Sequence, residues 1–452
     1  MRKKILTVLF LAGAQLFAQE STGSRASDSQ EAVRFNTVKY GTETEIAALI
    51  QSLKSEGADY LDDEIIALVE NTRNQKILSG AFSFFGEREK NGLEDRAIRA
   101  IEERDNEENE TVLSAIDYLG KVKAGKAAPY FHELLDQEER RFMGAAFRSL
   151  GQVSGSGGSA SDEAAEFLID YYENRDPGDE NRRDIITAIG VTASQMGVSF
   201  LAGVASDNEE RVPLRMAALE SLAKIGHPDG LEAILYCVSA RDPNVRSAAV
   251  AALGPFSGDA VDKAILEGFR DSFYRTRIAA AQASGRRKLT ASVPYLQFRA
   301  ERDDTITVKE EAIRALGAVA NAEAMKVLES LFTERKNADR VRITAGEMLM
   351  EKEPEKNLDR FFIEMDEAKQ KNQNALYNGF IRIIGTIKSA GMEPYARRLI
   401  QNRGVTEKFI AMDIAANNNL TGLADEIKLL AEDKSESLAR KASRTLEQLG
   451  IR

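Results

Sequence analysis

One short pattern recurs along this chain at nearly constant spacing, and it constrains the fold more than any other feature. Three nine-residue segments align without gaps, each with a cation first, Ala at the fourth and seventh positions and Gly last: Arg246–Gly254, Arg277–Gly285 and Lys309–Gly317. Extended in both directions, the pattern ends at twelve points separated by 31 to 39 residues. They are Gly86, Gly120, Gly151, Gly190, Ala223, Gly254, Gly285, Gly317, Met350, Gly385, about Asn417 and about Gln448. A period of about 33 residues accommodates two helices and two turns.

Helical periodicity supports the same interpretation. From Thr42 onward, apolar residues recur at helical spacing in segments broken by short polar turns, and no segment alternates as a strand would. The chain is therefore predicted to be all-α, an α-solenoid in which each helical pair buries its apolar face against its neighbours. The one gap of 39 residues contains Gly155–Ala160, which predicts a Gly/Ser loop insertion near 152–161 that bulges from the stack.

Small and capping residues have predicted places in each unit. Ala at the helix crossings allows close helix approach, and the terminal Gly of many units predicts a left-handed C-cap. Helix starts carry Asp, Asn, Ser or Thr, as at Asp242 and Asp259.

Three segments carry a resemblance to a known family: Val212–Gly226, Asp242–Gly254 and Thr307–Gly317. They resemble HEAT-like repeats, specifically the short Ala-rich type that also occurs in the phycobilisome-lyase repeat group. The resemblance implies a right-handed superhelix of about eleven to twelve two-helix repeats. It also implies a scaffold or adaptor that binds other proteins, although such a pattern specifies fold better than function.

A cation recurs eight positions before the end of most units. This ladder consists of Arg182, Arg215, Arg246, Arg277, Lys309, Arg342, Lys408 and Arg440. Acidic residues lie shortly before some of these cations, at Asp242, Asp304 and Asp339. The resemblance implies that such Asp and basic residues cross-link neighbouring repeats. The alternative is a concave row of positive charge that binds acidic segments of a partner.

The N-terminal residues have the composition of an export signal. Arg2, Lys3 and Lys4 precede an apolar run, Ile5–Phe17, that is too short to span a membrane, and Ala18 offers a cleavage site. The predicted organisation is a signal peptide over 1–18, a flexible leader over 19–41 and one repeat array over 42–452. The protein is expected to be exported, with the periplasm favoured over secretion, and to have no integral membrane segment after cleavage.

Residues suited to catalysis or metal binding are sparse. His132 and His227 are the only histidines, and Cys237 is the only cysteine, within an apolar helical stretch. The segment Gly155–Ala160 superficially fits a dinucleotide fingerprint but follows no strand. No catalytic residue, metal site or cofactor is therefore predicted.

The leading hypothesis is a non-enzymatic periplasmic scaffold with protein partners. An alternative is a HEAT-like lyase or another enzyme that acts on a protein-bound cofactor. A nucleic-acid-binding role is disfavoured by the net charge of −11, which repels polyanions. A purely structural spacer is a further alternative.

Overall fold

The computed structural model describes residues 22–155, 157–175, 177–402 and 404–451. Within these ranges the chain forms 26 α-helices and five short 3-10 helices, with no strand. The expected signal peptide, residues 1–18, lies outside the described residues. None of the described helices is both long and apolar enough to cross a membrane. The chain divides into two compact units, the first ending at Val204 and the second beginning at Ala205.

The first unit contains the following helices: α1 (Thr22–Tyr40), α2 (Glu43–Glu56), α3 (Asp62–Asn71), α4 (Gln75–Glu87), α5 (Glu94–Glu102), α6 (Asn109–Lys121), α7 (Ala128–Asp136), α8 (Met143–Ser154), α9 (Ser159–Asn174), α10 (Gly178–Thr192) and α11 (Gly197–Ser206), which ends two residues into the second unit. From α2 to α10, each even-numbered helix packs against the next even-numbered helix. The odd-numbered helices form the other layer of the unit.

The second unit continues the alternation with α12 (Val212–Ile225), α13 (Leu231–Cys237), α14 (Pro243–Ala252), α15 (Asp259–Gly268), α16 (Tyr274–Arg287), α17 (Val293–Arg302), α18 (Ile306–Val319), α19 (Ala322–Thr333), α20 (Asp339–Lys352), α21 (Pro354–Gln370), α22 (Asn374–Ile384), α23 (Glu393–Ile400), α24 (Val405–Asn417), α25 (Ala424–Ala431) and α26 (Glu436–Gln448). Successive even-numbered helices from α12 to α26 pack in series. The recurring sequence pattern lies on these even-numbered helices, which are the second helices of the repeats.

The described residues contain thirteen helical pairs, one more than the periodicity indicated at most. The additional pair is α1 with α2, because the segment expected to be a leader is helical from Thr22 to Tyr40. Helix α1 packs against α2 and α3, and its Val38 is buried. Its polar composition gives it only a weak amphipathic pattern, and for this reason the sequence did not reveal it.

The 39-residue gap between Gly151 and Gly190 is explained by a longer helix rather than by a bulging loop. Only residues 155–158 separate α8 from α9, whereas α9 itself has 16 residues against 9 in α7 and 10 in α11. The extra residues therefore lengthen the first helix of that repeat.

Side-chain caps fix several helix starts. Thr42 and Glu45 form a reciprocal capping box at α2, and Asp242 accepts hydrogen bonds from the Asn244 and Val245 amides at α14. These contacts satisfy amide groups that have no partner within the helix.

The glycines at the twelve pattern ends do not form left-handed caps, so that prediction is wrong there, although Gly226 at the end of the Val212–Gly226 segment does form one. Gly120, Gly151 and Gly317 lie inside helices and allow the next even-numbered helix to approach. A methyl group at Gly151 would lie 2.7 Å from the Ala188 carbonyl oxygen, which would force α8 and α10 apart. The left-handed residue comes two or three positions later, at Glu89, Lys123, Ala193, Gly226, Lys288, Ala320, Asn419 and Gly450.

The core changes character along the chain. In the first unit it is rich in aromatic residues, with Phe82 stacked on Tyr118 at 5.9 Å between ring centroids. Around α14 to α16 it consists mainly of small residues, including buried Ala249, Ala280 and Ala281. Small side chains suit closely packed helices, and this is where the recurring pattern is clearest.

Candidate functional site

Two members of the cation ladder have nearly identical contacts. Arg246 binds Asp271 through two hydrogen bonds of 2.7 and 3.0 Å, and its Nη1 donates to the Ala240 and Arg241 carbonyls. Arg246 therefore connects the turn of its own repeat to a carboxylate of the next repeat.

The contacts of Arg277 repeat this arrangement one unit later. It binds Asp303 at 2.8 and 2.9 Å, and its Nη1 donates to the Asp271 and Ser272 carbonyls at 3.0 Å. Asp271 thus accepts Arg246 on its side chain and Arg277 on its backbone, so consecutive repeats share one connected network.

Among the acidic residues that the sequence suggested, Asp304 is the one with a hydrogen bond to a ladder arginine in the described residues, and the main partners are other residues. Asp271 and Asp303 lie six positions before the cation of their own repeat, whereas Asp242 caps α14. Asp304 makes only a secondary contact with Arg277, at 2.9 Å. The signal that could have located the partners is an acidic residue six positions before the ladder cation, which the sequence shows in four repeats.

Electrostatics strengthen both pairs. Burial alone would raise the pKa of Asp303, but hydrogen bonds from Arg277 and the Thr305 amide hold that pKa below its ordinary value. Asp271 shows the same balance: burial opposes ionisation, and Arg246 with the Phe273 amide lowers the pKa. Both carboxylates therefore stay ionised in the folded chain at neutral pH.

Further along the array, the same position uses different partners. Arg342 donates to the Phe332 carbonyl at 2.9 Å and to Glu364, a buried carboxylate of α21, at 2.9 Å. The Nζ of Lys309 donates to the Glu301 carbonyl at 3.0 Å. At Tyr377, where the pattern lacks a cation, the hydroxyl donates to Glu407 at 2.8 Å.

The remaining ladder residues have other surroundings. Arg182 lies over the Tyr172 ring at 5.2 Å, and Lys408 is half-buried on α24. Arg440 is exposed and lies 3.5 Å from Glu436 of its own helix. The eight cations therefore do not form one uniform surface row.

Arg215 is buried like Arg277 but contacts no carboxylate among the described residues. Its Nε donates to the Ala205 carbonyl at 2.9 Å, and its Nη2 has no hydrogen-bond partner there. Ala240 occupies the position that corresponds to Asp271 and Asp303. The Cys237 thiol donates to the same Ala205 carbonyl at 3.2 Å.

The residues most suited to chemistry have structural surroundings. Cys237 is a buried free thiol whose pKa is raised by burial. Burial also lowers the pKa of His132, which packs edge-to-face on Phe167, and His227 accepts the Asp229 amide hydrogen at a turn. Among the described residues, no group of three or more potential metal-binding side chains is assembled.

The second unit has two adjoining surface grooves beside its odd-numbered helices. The first, of about 420 Å³, runs along α15 and is lined by residues that include Lys263, Glu267 and Arg270. The second, of about 350 Å³, is lined by Arg270, Pro294, Tyr295, Phe298 and Arg299. This second cavity is called the Phe298 groove below. Arg270 lines both grooves.

Exposed aromatic and cationic groups are brought together at the Phe298 groove. Phe298 is 55 % exposed, although a large apolar side chain is normally buried. The Arg270 guanidinium lies 5.6 Å from the Tyr295 ring centroid, and that of Arg299 lies 5.3 Å from the Phe298 centroid. This site was not predicted from the sequence because Arg270 follows α15 whereas the other lining residues lie on α17.

Comparison with known proteins agrees with the repeat architecture. A family model described as Spirochaete HEAT repeat protein matches residues 38–445. The predicted resemblance to HEAT-like repeats and the all-α solenoid fold are thereby confirmed. No curated protein matches the sequence.

Solved structures with detectable similarity include karyopherins. A crystal structure of Kap121p is 11 % identical, with a TM-score of 0.46, and the match covers 96 % of this chain and 55 % of that one. Kap121p bound to Pho4p is 12 % identical, with a TM-score of 0.45 and coverages of 92 % and 53 %. Importin beta is 12 % identical, with a TM-score of 0.44 and coverages of 99 % and 72 %. The chain spans about half the length of the Kap121p chains that it matches.

Proposed function

The chain belongs to the family of spirochaete HEAT repeat proteins, and we propose that it is a scaffold that binds other proteins through the surface of its helical array. A repeat array buries its apolar residues between neighbouring helices and leaves an extended surface for partners. The proposal assigns the function to that surface, without a catalytic step.

The observation that carries this proposal is the contrast between the ladder and the Phe298 groove. The side chains of Arg246, Arg277 and Arg342 are engaged in contacts between repeats. At the groove, aromatic and cationic side chains remain exposed together. Aromatic residues and Arg are the side chains most enriched at protein interfaces, which supports protein binding there.

We also propose that the protein acts after export, in the periplasm. The support is the positively charged start of the chain followed by the short apolar run Ile5–Phe17. Fractionation of cells that express the full chain tests this: the shortened protein is expected in the periplasmic fraction, and a full-length cytoplasmic protein would contradict export.

Site-specific photo-cross-linking in envelope extract tests the scaffold proposal. A cross-linking amino acid is introduced at three exposed positions, Met196, Phe298 and Leu429, in separate variants. At least one position is expected to yield a defined protein adduct, identified by mass spectrometry, that is absent when the protein is first unfolded. Failure of all three positions to capture any protein would contradict a scaffold role.

A further inference from the structure

We propose that the Phe298 groove binds an acidic peptide segment of a partner protein, in which an apolar side chain lies between carboxylates. This inference rests on the proposed scaffold function and specifies its site and the chemistry of its ligand. The groove supplies an apolar wall, flanking cations and a locally positive surface.

The apolar wall is formed by Pro294, Tyr295 and Phe298. The volume of about 350 Å³ lies near the lower end of the range of about 300–1,000 Å³ that is typical of binding pockets. A single apolar side chain inserted there would cover part of the exposed Phe298 ring and remove both surfaces from water. An extended peptide can supply such a side chain without a folded partner domain.

Arg270 is the flanking cation that is most available to a carboxylate. The Arg270 side chain is 61 % exposed, and its ion pair is with the exposed Glu267 three residues earlier, at 2.8 Å. Such exposed pairs contribute little to stability, so a partner carboxylate can displace this one. On the other side, the Arg299 side chain is 21 % exposed and pairs with buried Asp303 at 3.3 Å, so it adds positive charge to the groove but is not a free guanidinium. Both guanidinium groups lie within cation–π distance of an aromatic ring at the groove.

Local charge favours an acidic ligand. The five residues that line the groove include two arginines and no acidic residue, although the whole chain has a net charge of −11. Lys263 adds an exposed cation in the adjoining groove. A basic region on an acidic protein steers acidic partners to one place and repels them elsewhere.

The same features fit single-stranded nucleic acid less well. Base stacking requires free ring faces, but Tyr295 already packs on Phe269, with 5.7 Å between centroids, and has Arg270 over its ring. The overall negative charge of the chain also opposes a polyanion. We therefore favour the peptide, and an oligonucleotide serves as a competing probe.

Fluorescence anisotropy with a labelled peptide, Asp-Glu-Phe-Asp-Glu-Asp, tests the proposal on the full chain. Arg270→Glu and Phe298→Ser are each expected to weaken binding by about tenfold, because one replaces an attractive charge with a repulsive one and the other removes the apolar wall. A peptide with Ala in place of Phe is expected to bind comparably weakly, and salt is expected to weaken binding of the original peptide.

Two exposed positions provide matched controls. Arg335 has the same offset from Arg342 as Arg270 has from Arg277, so Arg335→Glu reverses an equivalent edge charge away from the groove. Leu429→Ser removes an exposed apolar side chain from another odd-numbered helix. Both variants are expected to bind the peptide within about twofold of the unmodified protein, since a substitution at a distant site without shared contacts acts independently of the groove. Thermal melts establish that all four variants fold.

The outcomes separate the groove from the broader function. Equal loss in Arg270→Glu and Arg335→Glu, no binding of the peptide, or preference for an oligo-dT strand over the peptide would each overturn the proposed site. If cross-links form at Met196 or Leu429 while the groove fails these tests, the scaffold function stands and only its location is wrong. If no position cross-links a protein, the scaffold function itself fails, whatever the peptide does.

Discussion

The turns before α14 and α16 differ in how they contact the ladder arginine of the preceding repeat. At the turn before α16, Asp271 accepts Arg246 on its carboxylate and Arg277 on its carbonyl. At the turn before α14, the corresponding residue is Ala240, and the preceding arginine, Arg215, is buried without a carboxylate contact among the described residues. The residue six positions before the ladder arginine therefore accepts hydrogen bonds through both its side chain and its carbonyl at Asp271, but only through its carbonyl at Ala240.

The difference shows that a recurring arginine does not by itself indicate a stabilising ion pair. A buried guanidinium loses its hydration, and only a well-placed carboxylate offsets that loss. The Arg277–Asp303 pair supplies this compensation through two hydrogen bonds, whereas Arg215 has one to a neutral carbonyl. Arg277 is therefore expected to stabilise the fold, whereas Arg215 is expected to have the opposite effect.

Replacing each arginine by Met gives the largest contrast. Arg277→Met leaves buried Asp303 with only its longer ion pair to Arg299, at 3.3 Å, and is expected to lower the unfolding free energy by about 3 kcal/mol. Arg215→Met removes a buried charge together with one hydrogen bond to a carbonyl and is expected to change it by less than about 1 kcal/mol. Denaturant unfolding followed by circular dichroism measures both. Equal losses would show that the missing carboxylate at Arg215 has no energetic consequence.

Acid is expected to abolish the contribution of one arrangement only. The pKa of Asp303 is lower in the folded chain than in the unfolded chain, so its contribution is complete above an unfolded pKa of about 3.9 and is lost as the pH falls through the folded value. The stability difference between the unmodified protein and Asp303→Asn should therefore shrink as the pH falls below about 4.

The Arg215→Met variant is the control for this titration. No carboxylate contact of Arg215 exists among the described residues, so its stability difference from the unmodified protein should stay constant over the same pH range. Parallel pH dependence of the two differences would contradict the assignment of the acid-sensitive contribution to Asp303.

Restoring the carboxylate should reduce the contrast. Ala240→Asp places an acid where Asp271 and Asp303 stand in the following repeats, and is expected to raise the unfolding free energy by about 1–2 kcal/mol if Arg215 is unmodified. Ala240→Asn is the uncharged control. The gain should disappear in the Ala240→Asp, Arg215→Met double variant, and a gain that persists there would exclude pairing as its cause.

A small effect is expected at Cys237. Its thiol shares the Ala205 carbonyl with Arg215, so Cys237→Ala removes a weak donor and a small buried volume. The expected loss is about 1 kcal/mol, comparable to the removal of a small buried group. A loss above that of Arg277→Met would indicate that the thiol, rather than the arginine, organises this turn.

The sequence predicted the repeats well because both of their causes are local. Helical spacing of apolar residues and a constant period are properties of neighbouring residues, so the even-numbered helices were located correctly. Helix α1 was missed because its residues show little amphipathic pattern and only its packing on α2 and α3 places it in the array. The glycines were misassigned because a close helix contact and a chain reversal favour the same residue.

The ladder positions could be predicted, but their partners could not. Arg246 and Arg277 stand out by periodicity alone, whereas Asp271 and Asp303 are identified by contacts that span about one repeat. The Phe298 groove was also not predicted, since Arg270 and Phe298 belong to adjacent helical pairs and no periodic pattern joins them. Exposure, which defined that site, depends on tertiary packing rather than on residue type.

The shared role of Asp271 has a mechanical consequence. If the second unit is stretched along its chain, the tie from Arg246 through Asp271 to Arg277 must break before the pairs that contain α14 and α16 can separate. The turn at Ala240 offers no such carboxylate tie to Arg215. We therefore expect this junction to yield at a lower force than the next one, so that the unit extends in ordered steps rather than all at once.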